Sequence, residues 1–136
     1  MNQYPIPTVR IILQDKEGKI LLLKRAKGKI AGGYWCLPGG KVDYNKTLEK
    51  AGTDELMEET GLDISNLKFL FFTEDLPQEK EKEHYIGFYF SATFNGSITL
   101  NEESSDFAWV DTINLKDKDI AFNHDKAIEK FLTGKF

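Results

Sequence analysis

Three glutamates, Glu55, Glu58 and Glu59, form a cluster close enough in sequence to act together. They stand at i, i+3 and i+4, so on a helix of 3.6 residues per turn they share one face. Carboxylates held side by side repel, at roughly 0.2–0.5 kcal/mol for each like-charged pair. Open solvent offsets that cost, and so does a cation. The plain reading is a solvated acidic face. The chemical reading is a seat for a hard divalent ion, because all-oxygen ligand sets suit Mg²⁺, Mn²⁺ and Ca²⁺. Other chemistries lack their parts. Cys36 is the only cysteine, and His84 and His124 are the only histidines. An intrachain disulfide and a Cys-based zinc site are thereby excluded, and a Cys/His nucleophile has no supporting pattern.

A helix and the turn ahead of it carry these carboxylates. Thr47 is suited to cap a helix, and Leu48, Ala51 or Gly52, Leu56 and Thr60 fall on one face of it. Gly61 supplies the left-handed residue that ends it. Ahead of the helix, Leu37-Pro38-Gly39-Gly40 is a sharp turn signal. Residues 8–14 and 19–24 are apolar runs separated by Asp15-Lys16-Glu17-Gly18, which predicts a hairpin. A glycine- and lysine-containing loop at 26–33 leads to a short strand at 34–37. Strands are expected at 67–73 and 84–94, with a charged loop at 74–83 between them. Tyr85-Ile86-Gly87-Phe88-Tyr89-Phe90 gives the second of these its alternation. Short strands at 97–100 and 107–111 and a helix at 124–132 complete the chain. Strands on both sides of an early helix, with a second helix at the end, predict an α+β or α/β sandwich.

Length and charge bound the rest. The chain has 136 residues, 40% of them hydrophobic, which predicts one domain over 1–136 without covalent staples. Its 22 acids outnumber its 18 bases, which argues against nucleic acid as a partner. Arg10 and Arg25 are the only arginines, so the position of each is informative. The longest apolar runs, 20–23 and 69–72, fall far short of the ~20 residues that span a bilayer. The first ten residues lack a signal-peptide pattern. A cytoplasmic protein with no membrane partner is the expectation.

Residues 40–62, GKVDYNKTLEKAGTDELMEETGL, resemble the box of the Nudix hydrolase family. That box reads Gly, five residues, Glu, seven residues, Arg-Glu, an aliphatic, any residue, Glu-Glu, any residue, Gly, an aliphatic. Gly40, Glu55, Leu56, Glu58, Glu59, Gly61 and Leu62 match it at the right spacing. Trp35-Cys36-Leu37-Pro38 looks like the family's approach to the box, and the acidic stretch before Trp109-Val110 is similar to a late family segment.

The resemblance implies a Nudix-type α/β/α sandwich with a mixed sheet. It implies a metal-dependent enzyme that hydrolyses phosphorus anhydride bonds in a small-molecule nucleotide. Mg²⁺ or Mn²⁺ would be held by Glu55, Glu58 and Glu59. Glu55 and Glu103 are the candidate proton-accepting carboxylates, with Glu102 as a rival to Glu103. Lys41 follows the glycine pair, where the family often has a phosphate-facing base, although a solvated strand lysine explains it as well. Arg25 ends the second strand, faces the same loop and is the other candidate for phosphate contact. Asn45 replaces a usual glycine, and Asn tolerates the left-handed conformation. Tyr34 and Trp35 could stack on a base, with a core role the alternative for Trp35. Residues 120–125 resemble a loop-to-helix junction of ADP-ribose-type members, with Phe122 as core and Asn123 as a cap the plainer reading. The resemblance leaves room for a homodimer.

Two box positions depart. Lys46 stands at the first family Glu and Asp54 at the family Arg. The summed charge over these two positions and the three glutamates is unchanged by the exchange. One reading is an ion pair with its poles reversed. The other is two unrelated losses in a chain that binds a nucleotide without cleaving it.

Overall fold

The leucine- and isoleucine-rich runs near the N-terminus form two strands that part company after one turn. A computed structural model describes residues 4–79 and 81–136. Strand β1 is Ile6–Ile12 and β2 is Ile20–Arg25. Between them, Asp15 Oδ1 accepts from the amides of Glu17 and Lys19, and Gly18 takes a positive φ of 80°. The expected hairpin exists only at this base, in the bridge between Gln14 and Ile20 and the bond from Leu21 N to Leu13 O. Beyond it β1 enters one sheet and β2 another. The reason is burial. Val9, Ile11, Ile12 and all of Ile20, Leu21, Leu22 and Leu23 are shielded from solvent, so each strand needs cover on both faces.

The remaining elements are β3 (Trp35–Cys36), β4 (Gly39–Lys41), α1 (Leu48–Thr60), β5 (Asp63–Asp75), β6 (Tyr85–Asn95), β7 (Ser104–Val110) and α2 (His124–Thr133). A 3-10 turn at Thr112–Asp117 went unanticipated. One sheet runs β4-β1-β6-β5 and the other β3-β2-β7. The first is mixed, because β1 pairs parallel with β6 and antiparallel with β4. Successive residues of the inner strands point into different cores. Ile11, Leu21 and Leu23 meet Ala51 and Leu56 of α1, whereas Ile12, Ile20 and Leu22 meet Ala127 and Ile128 of α2. Helices thus cover opposite faces of the β layer, the α/β/α arrangement. Each such side chain, fully buried, contributes about 1.5–3 kcal/mol.

Two local expectations are corrected. Residues 97–100 form no strand. Thr99 N instead donates to Thr60 O, 2.8 Å away, and pins the chain against the end of α1. Gly39 and Gly40, read as a turn, belong to a strand. Gly39 has φ 140°, and a Cβ there would lie 2.0 Å from Val9 O, so only glycine lets β4 approach β1. Among the described residues no helix is long and apolar enough to cross a membrane.

Candidate active site

Helix α1 is held at both ends by the residues its sequence offered. Thr47 Oγ1 accepts from Lys50 N at 3.1 Å. Gly61, at φ 73°, closes the last turn on Met57 O. Gly52 lets the helix lie close to β1, since a Cβ there would stand 3.1 Å from Ile11 Cδ1. This seating decides the fate of each glutamate. Glu59 is 7% exposed, and its Oε1 accepts from Gly39 N at 2.9 Å. Glu55 is half buried against Gly40, where a Cβ would come within 2.9 Å of its carboxyl carbon. The glycine pair therefore makes room for one carboxylate and hydrogen-bonds the other.

Both carboxylates open on a recess of about 310 Å³. Arg25, Lys41 and Glu103 line the same recess, so five of the residues anticipated from sequence meet there. Glu58 is exposed and stands outside the lining, as does Glu102. Asn45 has φ 69°, the left-handed conformation that Asn tolerates. Tyr34 and Trp35 do not line the recess. Trp35 packs beside the α2-side core, with Lys118 Nζ 4.5 Å from its ring centroid. Arg10, Phe122, His124 and Tyr89 also line the recess and were not assigned to the site from sequence. The rarity of arginine was the one available signal for Arg10.

Charge in the recess is unbalanced. Burial pushes Glu59 up to about 8. Arg10 and the Gly39 amide oppose that shift, and Glu55 and Glu103 add to it. Burial also pushes Glu55 up to about 7, helped by repulsion from Glu58 and Glu103. His124 moves the other way, well below its ordinary range, because it is buried and faces Arg10 and Arg25. It is therefore neutral, and its Nδ1 accepts from Leu37 N at 3.0 Å. Among the described residues no three acidic, histidine or cysteine side chains are already drawn together around an ion-sized space. The donor chemistry nevertheless fits a hard cation. The ligands on offer are carboxylate oxygens, Glu59 has one oxygen committed to Gly39, and repulsion among the acids is what added positive charge would relieve.

The two departing box positions meet. Lys46 Nζ lies 2.9 Å from Asp54 Oδ2, and Lys50 Nζ lies 3.0 Å from Asp54 Oδ1. Lys46 is raised, first by its hydrogen bond to Asp54, and Asp54 is lowered, first by Lys46 and then by Lys50. The reversed ion pair is thus formed, with a second lysine sharing the acid. Lys46→Glu alone should place another acid beside Asp54 and reduce both melting temperature and kcat/KM. Asp54→Arg alone should face two lysines and do the same. Lys46→Glu with Asp54→Arg should recover most of the loss, measured as a double-mutant cycle. Strictly additive effects would mean that the pair is energetically idle.

Residues 5–131 match the NUDIX domain, and the chain belongs to that family. Among curated relatives, an ADP-ribose pyrophosphatase from Methanocaldococcus jannaschii is 32% identical over 89% of this chain and 70% of its own length. Nucleoside triphosphatase NudI from Klebsiella pneumoniae is 30% identical over 83% of this chain and 87% of its own. Among solved structures, a MutT protein from Methanosarcina mazei superposes with a TM-score of 0.83 at 22% identity, over 98% of this chain and 97% of that one. That likeness bears on the fold.

Proposed function

We propose that this chain is a metal-dependent pyrophosphohydrolase working as a single domain. It cleaves a nucleoside diphosphate linked to another group into a nucleoside monophosphate and the phosphorylated remainder, or pyrophosphate from a triphosphate. The observation that carries this reading is the placing of Glu55 and Glu59, both short of positive charge, in one recess with Arg25 and Lys41. Glu55, Glu58 and Glu59 would hold Mg²⁺ or Mn²⁺, which supplies charge neutralisation and an acidified water when bound. Arg25 and Lys41 hold the phosphate that is not attacked. A carboxylate takes the proton of the attacking water, and Glu55 and Glu103 both stand in the recess to do so.

The relatives named for ADP-ribose and for nucleoside triphosphates support two substrate classes. The junction at residues 120–125 inclines the reading toward ADP-ribose or a similar nucleoside diphosphate sugar. A phosphate-release assay with Mg²⁺ over both classes tests it, and a higher kcat/KM for the sugar nucleotides is expected. A tenfold preference for triphosphates, about 1.4 kcal/mol of transition-state binding, would reverse the order. The departures at Lys46 and Asp54 motivate a second reading, a module that binds such a ligand without cleaving it, and the ion pair formed between them counts against it. Tight binding with no release from any nucleotide would select that reading.

A further inference from the structure

Phe122 is a bulky residue in a left-handed backbone conformation, at φ 59°, and Asn123 beside it has the same φ. Asn tolerates that conformation, but a bulky aromatic such as Phe122 is strained in it, and strain of this kind persists only where neighbouring structure enforces it. The neighbours are identifiable. Glu81 accepts from Phe122 N at 3.3 Å, and Asp75 accepts from Asn123 Nδ2 at 3.5 Å. The left-handed pair is therefore tied to the end of β5 and to the β5–β6 connection, and the ring of Phe122 lines the recess.

Against that ring lie both arginines of the chain. The guanidinium carbon of Arg25 is 5.1 Å from the ring centroid and that of Arg10 is 5.8 Å. Each is also anchored to backbone, Arg10 Nη1 to Leu37 O and Arg25 Nε to Ile30 O. Among the described residues neither has a carboxylate within 4 Å, whereas Lys19, Lys46 and Lys50 do. Arg10 Nε is buried with no hydrogen-bond partner. Two like charges gathered around one aromatic ring, fixed by carbonyls and with no carboxylate within 4 Å, form an arrangement that an oxyanion would complete. Guanidinium forks match phosphate oxygens in geometry as well as charge.

We propose that Phe122 is a positioning residue that holds Arg10 and Arg25 together as a diphosphate clamp, with Arg10 a substrate-binding residue in its own right. The clamp rests on the hydrolase reading only for the identity of its anion. Phe122 acts through the arginines, by ring contact that fixes their planes.

The test is made on the full chain with Mg²⁺ present, using inorganic pyrophosphate as the probe in calorimetry and the best nucleotide in kinetics. Arg10→Met and Phe122→Leu should each weaken pyrophosphate binding tenfold or more, and raise KM by more than they lower kcat. Phe122→Tyr should restore both, because it returns an aromatic face. Phe122→Leu keeps an apolar side chain and so serves if Arg10→Met fails to fold. Wild-type protein that binds no pyrophosphate overturns the clamp. So does unchanged pyrophosphate affinity and KM in both variants, or failure of Phe122→Tyr to rescue. If wild type binds pyrophosphate, the variants weaken it and no nucleotide is hydrolysed, the clamp stands and the hydrolase reading falls.

Discussion

Glu59→Gln is expected to lower kcat/KM by roughly a hundredfold or more. On the proposed reading, in which Glu59 would hold the cation, loss of its charge removes several kcal/mol of transition-state stabilisation, and each ~1.4 kcal/mol is tenfold in rate. The fold should survive, because the amide oxygen of Gln can still accept from Gly39 N, the one hydrogen bond Glu59 makes. Misfolding would therefore be a poor explanation of the loss. Glu102→Gln is the control. That carboxylate is exposed, outside the recess lining, and its removal should leave turnover near wild type. Wild-type rates in Glu59→Gln would remove Glu59 from the mechanism.

Removal of divalent metal should make the protein lose stability as pH rises. Glu55 and Glu59 are pushed to about 7 and about 8, both above the 4.5 of a free glutamate. A carboxyl group raised in the folded state contributes stability that is complete below about 4.5. That contribution is lost as pH climbs through the folded values, here toward 8. For buried Glu59 the full change is on the order of a few kcal/mol. His124 works in the opposite sense. Its lowered value gives stability that is present above 6.5 and lost as pH falls below it. Comparing wild type with Glu59→Gln subtracts the histidine. In EDTA, urea midpoints of the two should converge near pH 5, and wild type should fall behind by pH 8.5. Saturating Mg²⁺ should close that gap. Parallel curves across the range would mean that Glu59 is not forced to ionise in a poor environment.

What sequence could foresee here depended on distance along the chain. Thr47, Gly61 and the three glutamates act within one helix, so their spacing alone carried the information. The Lys46–Asp54 contact was also legible, since eight positions separate the partners and their charges are complementary. Arg10 was not. Its anchors are Leu37 O and the Phe122 ring, and nothing local links these three. The hairpin expected of β1 and β2 failed for a related reason. Alternation and a turn signal describe neighbours in sequence, whereas the burial of both strands demanded partners far away. The strand at Gly39–Lys41 escaped notice because glycines have no side chains to alternate. Glu58 reads in sequence as the equal of Glu59. Only packing against β1 and β4 separates a buried carboxylate from an exposed one.

The pairing of β1 with β6, and of β2 with β7, also sets an order of events during synthesis. When residue 60 has left the ribosome, the segment of α1 is complete, yet β1 lacks its parallel neighbour at Tyr85–Asn95 and β2 lacks Ser104–Val110. The uninterrupted apolar stretch of β2 must wait for most of the chain before its faces are covered. Partnerships of such long sequence separation close slowly, because loop entropy is lost before contacts reward it. A nascent chain arrested before residue 85 would thus expose its stickiest segments, making it a substrate for chaperones.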